Sequence, residues 1–416
     1  MIKMLSVGTP MKIAMDKLCR IFSRALDIIE KEQIGASDFH SMRISALCAL
    51  MGKKLGYDDD AISALATCAL FHDNALTEYH LSMEEIEKNG RNMALHCEKG
   101  QSNVSWLPFK TNIDGFILYH HERGNGKGPF HKHEGEYPFE AALIAVADAV
   151  DVVFKLQHVT AAELPGICEK IAGRADAYST RPAVDVLLDI LDEEVLESLR
   201  DENISETLDK LLPCWEIDLD ESAVMGIAGF MSHIIDYKSK FTRKHSSQIA
   251  NRAWLMANYY GYNEKERAAL YLAASLHDIG KIATPTEVLE KPGKLDKEEF
   301  EIIKEHVLNT HVWLSEMPDF DPLLSWAAGH HEKLDGTGYS FGRLGEDMDF
   351  NTRLMAIIDI YQAVCELRPY HDARSHEDTM PILYRMAENG FIDKGIVKDI
   401  DKAMAEYSLQ DIPPPL

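Results

Sequence analysis

The sequence predicts an all-α protein made of two tandem helical bundles related by an internal duplication. Three observations carry this. Apolar residues recur at three- and four-residue spacing in many segments, alternating strand-like patterns are scarce, and an ordered set of histidines and aspartates occurs twice.

The helical reading rests on particular segments. From His245 to Tyr260, the residues Ile249, Ala253, Met256 and Tyr260 share one face, and Gly261 is a stop. A stripe of Ala269, Ala273 and Leu276 runs through a helix from about Glu264 to Leu276. Asp296, with Glu299 three residues on, has the form of a capping box for a helix continuing towards Trp313. From about Thr352 to Glu366, Leu354, Ile357, Ile358 and Tyr361 supply another apolar face.

The duplication shows in both spacing and wording. In the C-terminal half His245 is followed by His277-Asp278, His306, His330-His331 and Asp359. In the N-terminal half His40 is followed by His72-Asp73, His96, His120-His121 and Asp148, with nearly the same gaps. HSMRISALCALMGKKLGYDDD parallels HSSQIANRAWLMANYYGYNEK, and HHERGNGKG parallels HHEKLDGTG. The expected organisation is an N-terminal domain over 1–195, an acidic, helix-prone connector over 196–230, and a C-terminal domain over 231–416.

Composition narrows the function classes. The 416 residues are 46% hydrophobic and 27% charged, as in a globular protein with ample core, and the formal net charge is −25. So acidic a surface repels nucleic-acid polymers and anionic lipid, yet a local metal can still draw in a small phosphate ligand. Seven cysteines without a C-x-x-C pair point to a reducing, cytoplasmic compartment. No apolar run reaches 18 residues and the first residues lack the apolar core of a signal peptide, so neither a membrane span nor a leader is expected. The oligomeric state is open between a monomer and a homodimer.

Ten of the 18 histidines and four aspartates lie in the two repeated sets. One histidine at a helix end is ordinarily a packing or surface residue. Five histidines and two aspartates repeated in order require distant helices to converge, and a metal centre is the usual reason. Adjacent His277 and Asp278 can serve one centre, a carboxylate can bridge two ions through its two oxygens, and His330-His331 can supply two imidazoles. Seven side chains with one bridge give four protein ligands to each of two ions, leaving positions for water and substrate. Histidine with carboxylate suits Fe or Mn, with Zn or Ni as alternatives.

HDIGK at 277–281 and HHEKLDGTGYS at 330–340, within the full ordered set, resemble the HD-GYP family of the HD phosphohydrolase superfamily. The resemblance covers about residues 230–405. It implies two HD-type bundles and a metal-dependent phosphodiesterase that opens a cyclic dinucleotide, cyclic di-GMP first and 3′3′-cyclic GMP-AMP second, to a linear dinucleotide, with onward cleavage to mononucleotides left open. By motif position His245, His277, Asp278 and Asp359 would hold one metal, and Asp278, His306, His330 and His331 the other. Lys281 would meet a substrate phosphate oxygen. Asp335, Gly336, Gly338 and Tyr339 belong to the signature loop, and Arg368 resembles a phosphate-gripping arginine. The family's loop proline is Ser340 here. Phe241 stands where some members place a glutamate for a third metal, and His371 where some carry a basic residue, so two metals are expected.

The N-terminal copy keeps the seven ligand types, His40, His72, Asp73, His96, His120, His121 and Asp148, as a second candidate metal site. Leu76 takes the lysine position, and its loop reads HHERGNGKGPF, with Phe130 as a stand-in for the tyrosine and Lys127 for some of the charge. His131 and His133 read as loop residues. This half is open between a metal-loaded regulatory domain, a differently tuned hydrolase and a metal-free relic. For the whole chain, the rival readings are an HD-type hydrolase of other nucleotides and a receptor that binds a cyclic dinucleotide without turnover.

Overall fold

The computed structural model describes residues 12–35, 37–75, 90–238, 245–291, 293–366 and 374–406. Leu76, Phe241, Arg368 and His371 lie outside these residues, so their expected roles stay with the sequence. The protein is almost wholly helical, and its one sheet among the described residues is a pair of three-residue strands, Lys12–Ala14 and Glu216–Asp218. The chain divides into two compact units, Met15–Glu216 and Ile217–Leu416, the first strand counting with the second.

The first unit contains α1 (Met15–Ile34), α2 (His40–Lys54), α3 (Asp59–Leu70), α4 (Gly90–Val104) and α5 (Phe139–Phe154). Five shorter helices follow: α6 (Leu164–Ala172), α7 (Ala175–Tyr178), α8 (Arg181–Ile190), α9 (Glu193–Ser198) and α10 (Ile204–Leu211). The second unit contains α11 (Glu221–Lys238), α12 (His245–Tyr259), α13 (Glu264–Leu276), α14 (Thr286–Leu289), α15 (Lys297–Leu314), α16 (Asp321–Ala328), α17 (Phe350–Cys365), α18 (His376–Glu388) and α19 (Lys394–Glu406). Residues 196–230 thus carry the end of α9, α10, the second strand and the start of α11.

The two units repeat one plan. Helix α2 is buried on nearly every face and packs on α1, α3, α5, α8 and α10. Such burial favours small or apolar residues, hence its Ala, Met, Cys and Gly content, and its one buried arginine, Arg43, is paired with Asp151. In the second unit α12 packs in the same way on α13 and α17. The links between the corresponding helices match as well. Gly56 and Gly261 adopt positive φ, of 76° and 69°, and end α2 and α12. The next residues, Tyr57 and Tyr262, donate backbone N–H bonds to the Gly52 and Ala257 carbonyls. Asp58 and Asn263 then cap α3 and α13. The two tyrosine hydroxyls reach the first turn of the later metal-site helix, Tyr57 to Glu140 at 3.1 Å and Tyr262 to Asn351 at 2.8 Å. One Gly-Tyr turn therefore sets both the helix–helix corner and the position of the helix bearing Asp148 or Asp359.

The expected helix starts are found with their caps. Asn263–Glu266 and Asp296–Glu299 both form reciprocal capping boxes, and Asp349 caps α17 by accepting from Thr352 N–H.

Candidate metal centres

Each centre is assembled from helix ends. In the second unit His245 begins α12, His277 and Asp278 follow α13, His306 lies within α15, His330 and His331 follow α16, and Asp359 lies within α17. All seven converge. The Oδ2 atom of Asp278 stands 3.1 Å from His277 Nε2 and 3.7 Å from His245 Nε2. Its Oδ1 atom faces the other side, 3.5 Å from His306 Nε2 and 3.8 Å from His330 Nε2. Asp359 approaches His245 Nε2 and His331 Nδ1, each at 3.4 Å. The carboxylate of Asp278 therefore lies between two histidine groups, with His245, His277 and Asp359 on one side and His306, His330 and His331 on the other.

The histidine tautomers are fixed locally. His277, His306 and His330 each donate Nδ1–H to the carbonyl three residues back, those of Ala274, Ile303 and Ala327, at 2.6, 2.5 and 2.5 Å. A carbonyl can only accept, so each Nε2 presents a lone pair to the centre. The His306 and His330 Nε2 atoms stand 3.3 Å apart. Two lone pairs at that distance repel unless a proton or another cation lies between or beside them. Protonation is opposed. Burial, then Lys281, pushes His306 down to about 3, and burial, then His331, holds His330 well below the usual imidazole value. Among the described residues, the buried Nε2 of His277 and Oδ1 of Asp278 also lack hydrogen-bond partners. Facing lone pairs and orphaned buried acceptors fit bound divalent cations, which would satisfy them together.

His245 is oriented by a carboxylate instead, donating Nδ1–H to Glu366 at 2.9 Å. Burial disfavours its charged form, but Asp359 and Glu366 outweigh this and raise its pKa. Glu366 was not singled out from sequence, because its distance from His245 along the chain hides the contact. Replacing it by glutamine should weaken metal affinity about 10–100-fold. A chelator-competition titration reads this, and unchanged affinity would show that Glu366 does not tune the ligand.

Lys281 Nζ lies 2.5 Å from Asp278 Oδ2. Burial raises the Asp278 carboxyl, yet His277 and Lys281 outweigh it and hold it ionised, well below the usual carboxylate range. Gly280 allows this turn to pack on α15. Its N–H donates to Thr310 Oγ1, whose hydroxyl donates to the His277 carbonyl, both at 3.0 Å. A Cβ at 280 would fall onto the His306 carbonyl oxygen. Gly280→Ala should cost about 1–3 kcal/mol, seen as a lowered Tm, and an unchanged Tm would contradict this close packing.

The signature loop is held from beneath. Glu332, buried directly after His331, accepts N–H bonds from Phe341 at 2.8 Å and Arg343 at 2.9 Å. Gly338 crosses it so closely that a Cβ would meet Glu332 Cα at 2.5 Å. Asp335 turns onto Thr337, accepting from its N–H and hydroxyl, and Gly336 takes the positive φ of that turn. Tyr339 lays its ring on His331 with centroids 4.6 Å apart.

The first unit reproduces the centre with differences. His40 Nε2 is 3.3 Å from Asp148, and Asp73 Oδ1 is 3.1, 3.4 and 4.0 Å from Nε2 of His96, His120 and His121. Asp73 Oδ2 is 3.4 Å from His72 Nε2. His72 and His120 again donate to carbonyls three residues back. His40 donates to Asp151 at 2.7 Å, and the buried Arg43 also binds Asp151. Burial opposes charge on His40, but Asp148 and Asp151 raise it well above the usual value. Glu122 pins this loop as Glu332 pins the other, accepting from Phe130 and Lys132 N–H at 2.6 and 2.8 Å. By that bond Phe130 takes the place of Phe341, and Pro129, one residue after Gly128, takes that of Tyr339, rather than Phe130 replacing the tyrosine.

Paired histidine–aspartate clusters in helical bundles define an HD-type metal hydrolase. Residues 229–396 match one HD-domain family and residues 38–153 a second HD-domain family. The chain is similar to the 3′3′-cGAMP-specific phosphodiesterase 1 of Vibrio cholerae, 28% identical over 92% of this chain and 90% of that protein. It is also similar to phosphodiesterase 3 of that specificity from the same organism, 30% identical over 75% of this chain and 68% of the relative. A cyclic di-GMP phosphodiesterase response regulator of Xanthomonas campestris is 34% identical over 37% of this chain and 41% of its own. The fold matches a crystal structure of a cyclic GMP-AMP specific phosphodiesterase of Vibrio cholerae, with TM-score 0.66 and 22% identity over 96% of this chain and all of the other. The chain belongs to the family of tandem HD-domain phosphodiesterases.

Proposed function

We propose that the chain hydrolyses a cyclic dinucleotide at its C-terminal centre, giving a linear dinucleotide. The observation that carries this is Asp278, set between two histidine groups with Lys281 on the same carboxylate. His245, His277, Asp278 and Asp359 would hold one divalent ion, and Asp278, His306, His330 and His331 a second, with Fe or Mn favoured by the donor set. Such ions, when bound, supply an activated water and Lewis acidity to a phosphodiester. The chain's own residues do the rest. Backbone carbonyls and Glu366 hold the imidazoles with their lone pairs inward, Lys281 meets charge growing on a phosphate oxygen, and Tyr339 steadies His331 from the loop. Arg368 would grip a substrate phosphate.

Relatives that match along most of the chain are named for 3′3′-cGAMP. That makes it the first substrate to test, ahead of the cyclic di-GMP expected from sequence. No described helix is long and apolar enough to cross a membrane. The seven free thiols support action in a reducing compartment, for which we propose the cytoplasm. Purified protein loaded with Mn(II) or Fe(II) should convert one of these cyclic dinucleotides to its linear form. Both left intact, with metal bound, would overturn the reading and favour a receptor.

A further inference from the structure

The first unit carries a cavity of about 1290 Å³ directly over its ligand set, reached by His40, Asp73, His120, His121 and Asp148. Sites for drug-sized ligands run to about 300–1,000 Å³, so this space far exceeds a lone phosphate and admits a dinucleotide. Its charges are layered. Four carboxylates, Glu30, Asp73, Asp148 and Asp151, lie at its inner end with the ligand set, while three cations line its exposed part, Arg123 and Lys127 from the loop after His121 and Lys155 from the end of α5. All three are exposed, and none forms an ion pair among the described residues. Lys155 holds a backbone φ of 52°, a left-handed position usually left to glycine, where the chain leaves α5 at the cavity wall.

The remaining walls suit bases. Val152 and Val153 are 57% and 54% exposed and line the cavity beside Tyr178, whose ring is braced by Phe154 at 6.5 Å. Apolar and aromatic walls with a few cations are the pattern by which nucleotides are held through stacking and phosphate contacts. At the floor, Glu30 is 2% exposed and its Oε2 has no hydrogen-bond partner among the described residues, a buried polar atom that a bound ligand or ion would satisfy.

We propose that this cavity is a second binding site, distinct from the C-terminal centre, for a phosphodiester-linked dinucleotide held by Arg123, Lys127 and Lys155. The cations stand on the walls, whereas Lys281 stands on the central carboxylate of the other centre. That placement grips phosphates without adding charge beside Asp73. The proposal rests on the functional reading only for its choice of probes.

The test uses the full chain carrying Asp278→Asn, so that ligand is not consumed, loaded with Mn(II). Hydrogen–deuterium exchange is followed with 3′3′-cGAMP, cyclic di-GMP, linear pGpG or inorganic phosphate. At least one dinucleotide should protect residues 121–131 and 152–158 saturably. Arg123→Glu/Lys127→Glu/Lys155→Glu should raise the half-saturating concentration about tenfold or more. Arg123→Gln/Lys127→Gln, a milder change, should shift it in the same direction. No protection there, protection indifferent to both variants, or equal protection by phosphate alone would overturn the proposal. Hydrolysis by the unmodified chain is scored separately, so loss of the second site and loss of the catalytic reading are distinguishable.

Discussion

Replacing Asp278 by asparagine should lower kcat for cyclic dinucleotide hydrolysis by on the order of 10³-fold or more. Asparagine keeps the shape but has one acceptor oxygen and no charge. Here Oδ1 faces His306 and His330 while Oδ2 faces His245 and His277. An amide nitrogen on either side would point hydrogens at imidazole lone pairs. Metal content of the C-terminal centre should fall with activity, measured by elemental analysis against the unmodified chain. Near-normal turnover with asparagine would exclude a carboxylate shared between the two histidine groups.

Replacing Lys281 by alanine should lower kcat about 10²–10³-fold while metal content stays near normal. The ammonium contributes no ligand; it lies on Asp278 Oδ2 and offers positive charge where a phosphate oxygen would gain negative charge. Single-turnover rates at saturating metal separate this from a binding defect. An effect confined to KM would make Lys281 a ground-state binder instead. Lys281→Arg should restore little, because a planar fork cannot occupy the place of a compact ammonium.

Much of the fold was legible because its signals are local. The Asp296 capping box and the Gly261 stop are written within a few residues of where they act. The ligand sets were legible for a different reason. Repetition in fixed order replaces the tertiary information that one histidine lacks, and the structure brings all fourteen side chains into two clusters. Partners across the fold were not legible. Glu366 meets His245 from 121 residues away and Asp151 meets His40 from 111, and neither belongs to a matching pair of positions. Glu122 and Glu332 did leave a trace, since both follow the repeated His-His pair, but their loop bonds depend on a hairpin that spacing alone does not reveal.

Those two glutamates bear on how such a protein diversifies. Each takes backbone N–H groups, which every residue except proline provides, so the anchor is blind to the side chains it holds. The loops above them read NGKGPF and DGTGYSF and differ by one residue in reach, yet both dock on the same carboxylate. The loop is thus a replaceable cassette on a constant mount. A duplicated copy can exchange its chemical text for another ligand without disturbing the paired imidazoles that immediately precede the glutamate.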